Sequence, residues 1–475
     1  MDRFSENGLP GKALLILILI SLLGISPRPH TAERELEKAY RYLSRGASLS
    51  ASASLARAAD YYPWRTDLWE LAGRSALKGG DPRAAINYLG QAAARGGLSS
   101  AGCIDLGDAY QAAGDLPNAI RIWQSAPPSP EVYTRLVKAH RSLQDYTAAI
   151  ADLKALLMLQ PNDAQSCYQL GLLLAATRPE SALAYLIQAA ELDPSLAGMS
   201  QAIQRQINTA RLSDEPSYAL MAAGRALASL NEWEMAVEAF RQATLARPDY
   251  AEAWAYLGEA RQHFKTGSTS TDDGLSDLQK ALSIDPASLS TNLFLAIYWQ
   301  RQERYDQALT YLGVAAKLDP DNPTLETELG KTLAAAGDLP AAQGHYLRAV
   351  ELAPKDATYW RILAEFSLQY RIQIRQIALP ASRQAVILTP DDPRALDLMG
   401  QALFMLDDTL NAERFLLRAL QTDPGYAPAH LHLGQVYLLE GEAGRARQQL
   451  DTALALSPDT PTADQAQRLL QRYFP

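Results

Sequence analysis

The stretch Leu329–Pro354, LGKTLAAAGDLPAAQGHYLRAVELAP, reads as two short helices joined by a tight turn and closed by a proline. Gly337 suits the left-handed backbone that ends a helix. Asp338 is placed to accept hydrogen bonds as the N-cap of the second helix, and Pro340 fits that helix's first turn. Gly330, Ala342 and Ala349 are small enough to let two backbones approach, with Tyr346 as the wedge between them. Thr327, just upstream, and Lys331 are expected to face outward into a groove. A near copy stands at Leu106–Trp123, LGDAYQAAGDLPNAIRIW, which shares the word AAGDLP. One such hairpin cannot bury its apolar face alone, so recurrence implies stacking of neighbours.

The same landmarks recur from about residue 31 onward. Leu-Gly stands at Leu106-Gly107, Leu170-Gly171, Leu257-Gly258, Leu329-Gly330 and Leu433-Gly434, with Met399-Gly400 as a variant. Alanine pairs stand at Ala236 and Ala243, Ala308 and Ala315, Ala342 and Ala349, Ala412 and Ala419, Ala446 and Ala453. Prolines close the units, among them Pro63, Pro161, Pro248, Pro320, Pro354 and Pro424. The pattern resembles the tetratricopeptide repeat family, whose unit of about 34 residues carries W-x2-L-G-x2-Y, A-x3-F and P. The resemblance covers nearly everything after the N-terminal segment and implies an all-α, right-handed superhelix of about twelve helical hairpins. Residues 1–30 form an N-terminal segment, 31–194 the first five repeats, and 195–216 an extra helix. Residues 217–458 carry the last seven repeats and 459–475 a capping helix, Leu469 and Leu470 covering the final hairpin. Three further departures are expected: a truncated repeat at Gln124–Pro130, a polar loop at Thr266–Gly274, and a distorted repeat at Ser367–Gln384 with Pro380 near its second helix.

Composition narrows the function. The net charge of −9 is scattered and offers no basic face, which argues against nucleic acid. Cys103 and Cys167 occupy matching places two repeats apart, a separation of roughly 20 Å at ~8–10 Å per helix layer. A disulfide needs Cα atoms within about 7 Å, so two buried free thiols are expected. There is no HExxH, P-loop, GxSxG or strand-borne GxGxxG. His430 and His432 are two residues apart and point to different faces of a helix, unlike a zinc pair at i and i+4. The Asp-Pro turns lack a full calcium loop. The chain is therefore expected to be no enzyme, with no cofactor, no metal and no small-molecule substrate.

At the N-terminus, Ala13–Ile25 (ALLILILISLLGI) is an uncharged apolar run. Thirteen residues of helix span about 20 Å against a hydrocarbon core of ~30 Å, so the run has the length of a signal-type segment. Pro27 disfavours cleavage after Ser26. The expectation is an uncleaved signal-anchor, hence a membrane location with an extracytoplasmic array; secretion after cleavage is the alternative.

By resemblance, the first helix of each repeat lines a concave face. Its candidate partner-binding residues are Arg74, Lys78, Lys138 and Arg141 in the second and fourth repeats, with Tyr168, Met221 and Arg225 further along. A basic strip beside an apolar wall would take an acidic, extended peptide or protein segment. Neither a Lys/Asn carboxylate clamp nor an asparagine ladder is present. A more apolar stripe near the end, Phe404, Met405, Leu431, Leu438 and Leu439, is expected to meet the capping helix. The sequence thus reads first as a membrane-tethered scaffold, second as a structural or assembly factor of an envelope complex, and third as an enzyme of unrecognised type.

Overall fold

The computed structural model describes residues 30–62, 64–211, 215–264 and 274–475. The apolar run Ala13–Ile25, Pro63, residues 212–214 of the 195–216 segment and all of the Thr266–Gly274 loop except Gly274 lie outside the described residues. Every regular element among the described residues is helical, and the chain divides into two compact units, Met1–Leu212 and Ser213–Pro475.

The first unit contains five antiparallel hairpins, opening with His30–Ser44 paired to Ser48–Tyr61 and closing with Ala164–Thr177 paired to Pro179–Leu192. A short 3-10 turn, Pro194–Leu196, then leads into the helix Ala197–Ala210, which packs on the fifth hairpin. The second unit contains seven hairpins, from Pro216–Ser229 with Trp233–Ala246 to Ala427–Glu440 with Ala443–Leu456. The helix Pro461–Tyr473 covers the last of them.

Two kinds of cap set these boundaries. Inside hairpins, Asp81, Asp115, Asp145, Asp338 and Asp408 each accept from the backbone N–H three residues on. Between hairpins, Asp163, Asn322, Asp356 and Asp392 accept from the N–H two residues on. Each satisfies a helix donor that has no partner within the helix, typically worth about 1 kcal/mol. Gly337 ends its helix at φ +91°, a conformation closed to most side chains.

A glycine clasp holds eight of the twelve hairpins of the described residues together. A Cβ on Gly73 would overlap Leu89, one on Gly107 Trp123, one on Gly224 Phe240, one on Gly400 Leu416 and one on Gly434 Leu450. In every case the wedge lies sixteen residues beyond the glycine. Gly330 and Tyr346 keep the same interval, with the ring 3.0 Å from the missing Cβ. Where the turn is shortened the clasp survives at a different interval, Gly171 on Leu186; where it is lengthened, Gly258 lies against Leu278 and Gly274. The alanine pairs complete the contact: all ten alanines named above are at most 1% exposed. Close packing of this kind leaves no volume for a methyl group without displacement.

The segment Ser367–Gln384 is distorted. Arg371 and Gln373 take positive φ of 53° and 50°, and a π-helical turn, Ile374–Ala378, precedes the helix Leu379–Leu388. That turn accommodates the additional residues while Ala378 and Ala385 remain fully buried.

Two expectations are corrected here. Cys167 is buried but Cys103 is only half-buried; both are free thiols. Thr327 does not face outward: it is buried, and its hydroxyl donates to the Pro323 carbonyl at 2.8 Å.

Candidate functional site: the row of first helices

Successive first helices touch one another directly. Thr66–Lys78 meets Ser100–Ala112 in the first unit; in the second, Pro323–Ala335, Ala357–Gln369, Pro393–Phe404 and Ala427–Glu440 form a continuous series. The side chains on this row come from positions fixed by the repeat, so residues one repeat apart are neighbours.

That adjacency is used by polar rungs. Arg74 Nε donates to Asp105 Oδ2 at 2.7 Å. Arg135 donates from Nε and Nη2 to the two oxygens of Asp108, at 2.6 and 2.9 Å. The hydrogen bonds that Arg135 donates to Asp108 are the main reason its pKa is raised. Arg225 lies 3.6 Å from Glu252 and sits over the Tyr256 ring at 5.8 Å. Gln300 donates to Glu328 and Thr332. Further along, the buried Asp397 accepts from His432 Nδ1 at 2.7 Å and from Gln401 at 3.0 Å.

The sequence-nominated residues therefore divide. Arg74 and Arg225 are exposed but engaged with the next repeat. Lys78 and Lys138 are exposed, and no ion pair is formed by either among the described residues. Arg141 is half-buried on the same helix as Lys138. Tyr168 and Met221 do not make an open apolar wall. They are 4% and 1% exposed, and the Tyr168 hydroxyl lies 3.7 Å from Met199 sulfur in the helix Ala197–Ala210. Part of the terminal stripe is also used internally: Leu431 and Leu438 pack with Leu469, Leu470 and Phe474 of the capping helix and its end, whereas Leu439 is exposed.

One recurrent contact was missed from the sequence. Trp254, Asn292, Trp360 and His430 each hydrogen-bond the carbonyl of the proline six residues upstream, at 2.9, 3.0, 2.9 and 3.0 Å. The signal was available, since all four stand at the same place after a closing proline. Among the described residues no cluster of His, Cys, Asp and Glu could hold a metal ion, and no helix is long and apolar enough to cross a membrane.

A stack of antiparallel helical hairpins, clasped by glycine and alanine and rung by side chains one repeat apart, defines a helical-repeat solenoid. Family profiles described as tetratricopeptide repeat match residues 70–131, 130–163, 221–265, 300–366 and 403–473. The chain belongs to the tetratricopeptide repeat family. It is 28% identical over 291 residues to cellulose synthase operon protein C of Xanthomonas axonopodis pv. citri (strain 306), covering 56% of this chain and 18% of that protein. It is 24% identical over 203 residues to human tetratricopeptide repeat protein 6, covering 41% of this chain and 37% of that one. The alignments thus span well under half of either relative. Among solved structures, yeast Tom70 is similar at 15% identity and a TM-score of 0.43, covering 93% of this chain and 95% of that chain.

Proposed function

We propose that the protein is a membrane-tethered scaffold, without catalysis of its own, that holds an acidic, extended segment of a protein partner on the first-helix row of residues 66–142. The observation that carries this is the division among its cations. Arg74 and Arg135 are neutralised by Asp105 and Asp108, whereas Lys78 and Lys138 are exposed and form no ion pair among the described residues. An acidic ligand gains most from charges that have no internal counter-ion. The apolar run Ala13–Ile25 supports the tether and the extracytoplasmic placement of the array, with secretion as the alternative.

The test is crosslinking in cells with the full chain, followed by partner identification from membranes. Lys78→Glu with Lys138→Glu should reduce partner recovery at least tenfold while leaving the helical content unchanged. Unaltered recovery would remove the row from the assignment.

A second reading is a structural subunit of an envelope assembly. It draws on large apolar residues exposed on second helices, notably Met158, Leu245, Ile387 and Leu410. It predicts self-association of the full chain in detergent, read by light scattering; a monomer at all concentrations would exclude it.

A further inference from the structure

One end of the first hairpin is finished with aromatic side chains that the repeat packing does not bury. Trp64 is 72% exposed, while each of the other six tryptophans is buried or half-buried. Tyr61, at the end of the second helix, is 47% exposed, and Tyr62 meets Trp64 edge-on at 5.8 Å. Arg65 follows; it donates from Nε and Nη2 to Asp67 at 2.7 and 2.6 Å, with Tyr62 and the exposed Tyr40 within its electrostatic reach.

Topology says where this end lies. The hairpin is antiparallel, so the last turn of Ser48–Tyr61 stands beside the first turn of His30–Ser44. The chain enters the hairpin at that same end. Only four residues separate His30 from Ile25, the end of the apolar run, and a chain of that length reaches no more than about 18 Å. Any membrane that holds the run is therefore within reach of Trp64 and Tyr61.

The residue types suit the layer that would be met. Tryptophan and tyrosine join an apolar body to a polar tip and concentrate at membrane–water boundaries. Between His30 and Asp67 the chain carries six Lys and Arg against five Asp and Glu, although its overall charge is −9. A locally positive segment beside an anchor is drawn to anionic headgroups.

We propose that the His30/Tyr61/Trp64 end of the first hairpin seats in the phospholipid headgroup layer, so that the array is oriented by the membrane as well as tied to it. The proposal rests on the tether reading above. Seating gives Trp64 a job that exposure to water does not.

The test uses the full chain reconstituted in phosphatidylcholine–phosphatidylglycerol vesicles, with and without phosphatidylcholine brominated near the headgroup. Trp64→Phe is the reference, and the difference in emission between the native chain and this variant isolates Trp64. Density-gradient flotation reports the tether separately. The expected result is flotation of both chains, with a blue-shifted Trp64 component quenched at least twofold more than the other tryptophans. Flotation with an unshifted, unquenched Trp64 component would overturn the seating and leave the tether standing. Failure of both chains to float would overturn both. Matching thermal unfolding of the two chains in circular dichroism shows that the reference variant is folded.

Discussion

Substituting Gly107 by alanine should destabilise the protein even though alanine is the better helix former. In an unobstructed helix the exchange favours folding by roughly 0.5–1 kcal/mol. At Gly107 the new Cβ would stand 2.5 Å from Cδ1 and 2.7 Å from Cε2 of Trp123, and closer still to Nε1. Carbon atoms prefer separations of about 3.5–4.0 Å, so the indole must retreat by about 1 Å. It has no room to do so. Trp123 is fully buried among Val132, Leu136 and Ala139, and its ring is rigid. Overpacking of this kind costs typically 1–3 kcal/mol, which outweighs the propensity gain and leaves a net loss of about 1–2 kcal/mol. Gly330→Ala should lose less, because the Tyr346 ring begins 3.0 Å away. Gly90→Ala and Gly344→Ala are the controls, with nothing within 4 Å of either Cβ, and should be neutral or stabilising. Urea midpoints by circular dichroism give the order, read as midpoints because repeat arrays need not unfold in one step. If Gly107→Ala proved as stable as Gly90→Ala, the clasp would not be what holds the hairpin.

Two other predictions concern the second unit. Glu365 lies exposed on the first-helix row, yet the surrounding protein withholds enough solvent to raise its carboxyl pKa above the ordinary 4.5, partly opposed by Arg361 and Arg394. The folded state then holds this proton more tightly than the unfolded state. Its contribution is fully present below the ordinary value and is lost as the pH rises through the raised one. Glu365→Gln should flatten stability across that window, measured by urea midpoints; an unchanged profile would refute the assignment. Trp360→Phe removes the donor to the Pro354 carbonyl and should cost about 0.5–1.5 kcal/mol, checked by thermal unfolding.

Much of the fold was legible because its landmarks are steric. Gly330, Ala342 and Ala349 state on their own that two backbones approach, and Asp338 states where a helix begins. The row of first helices was less legible, for a different reason. A repeat position says which face a residue occupies, but what that residue does depends on its neighbour one repeat away. Arg74 looks available until Asp105 is placed beside it. Tyr168 looks like groove lining until the helix Ala197–Ala210 brings Met199 against it. Thr327 turned inward because its hydroxyl finds a carbonyl in its own helix. Long polar side chains reach across repeats, and a single repeat does not reveal them.

The clasp also has a practical reach. Because glycine and wedge find each other at an interval of sixteen, fifteen or twenty residues, the core is indifferent to the length of the turn between them. The connection between His263 and Leu275 is already the longest within a hairpin, and Gly258 still meets Leu278. Lengthening a connection between packed helices costs little, since closure entropy grows only logarithmically with loop size. That connection is therefore the natural port for a fluorescent or affinity module: added sequence there leaves both ends of the chain, and the charged row between residues 66 and 142, as they are.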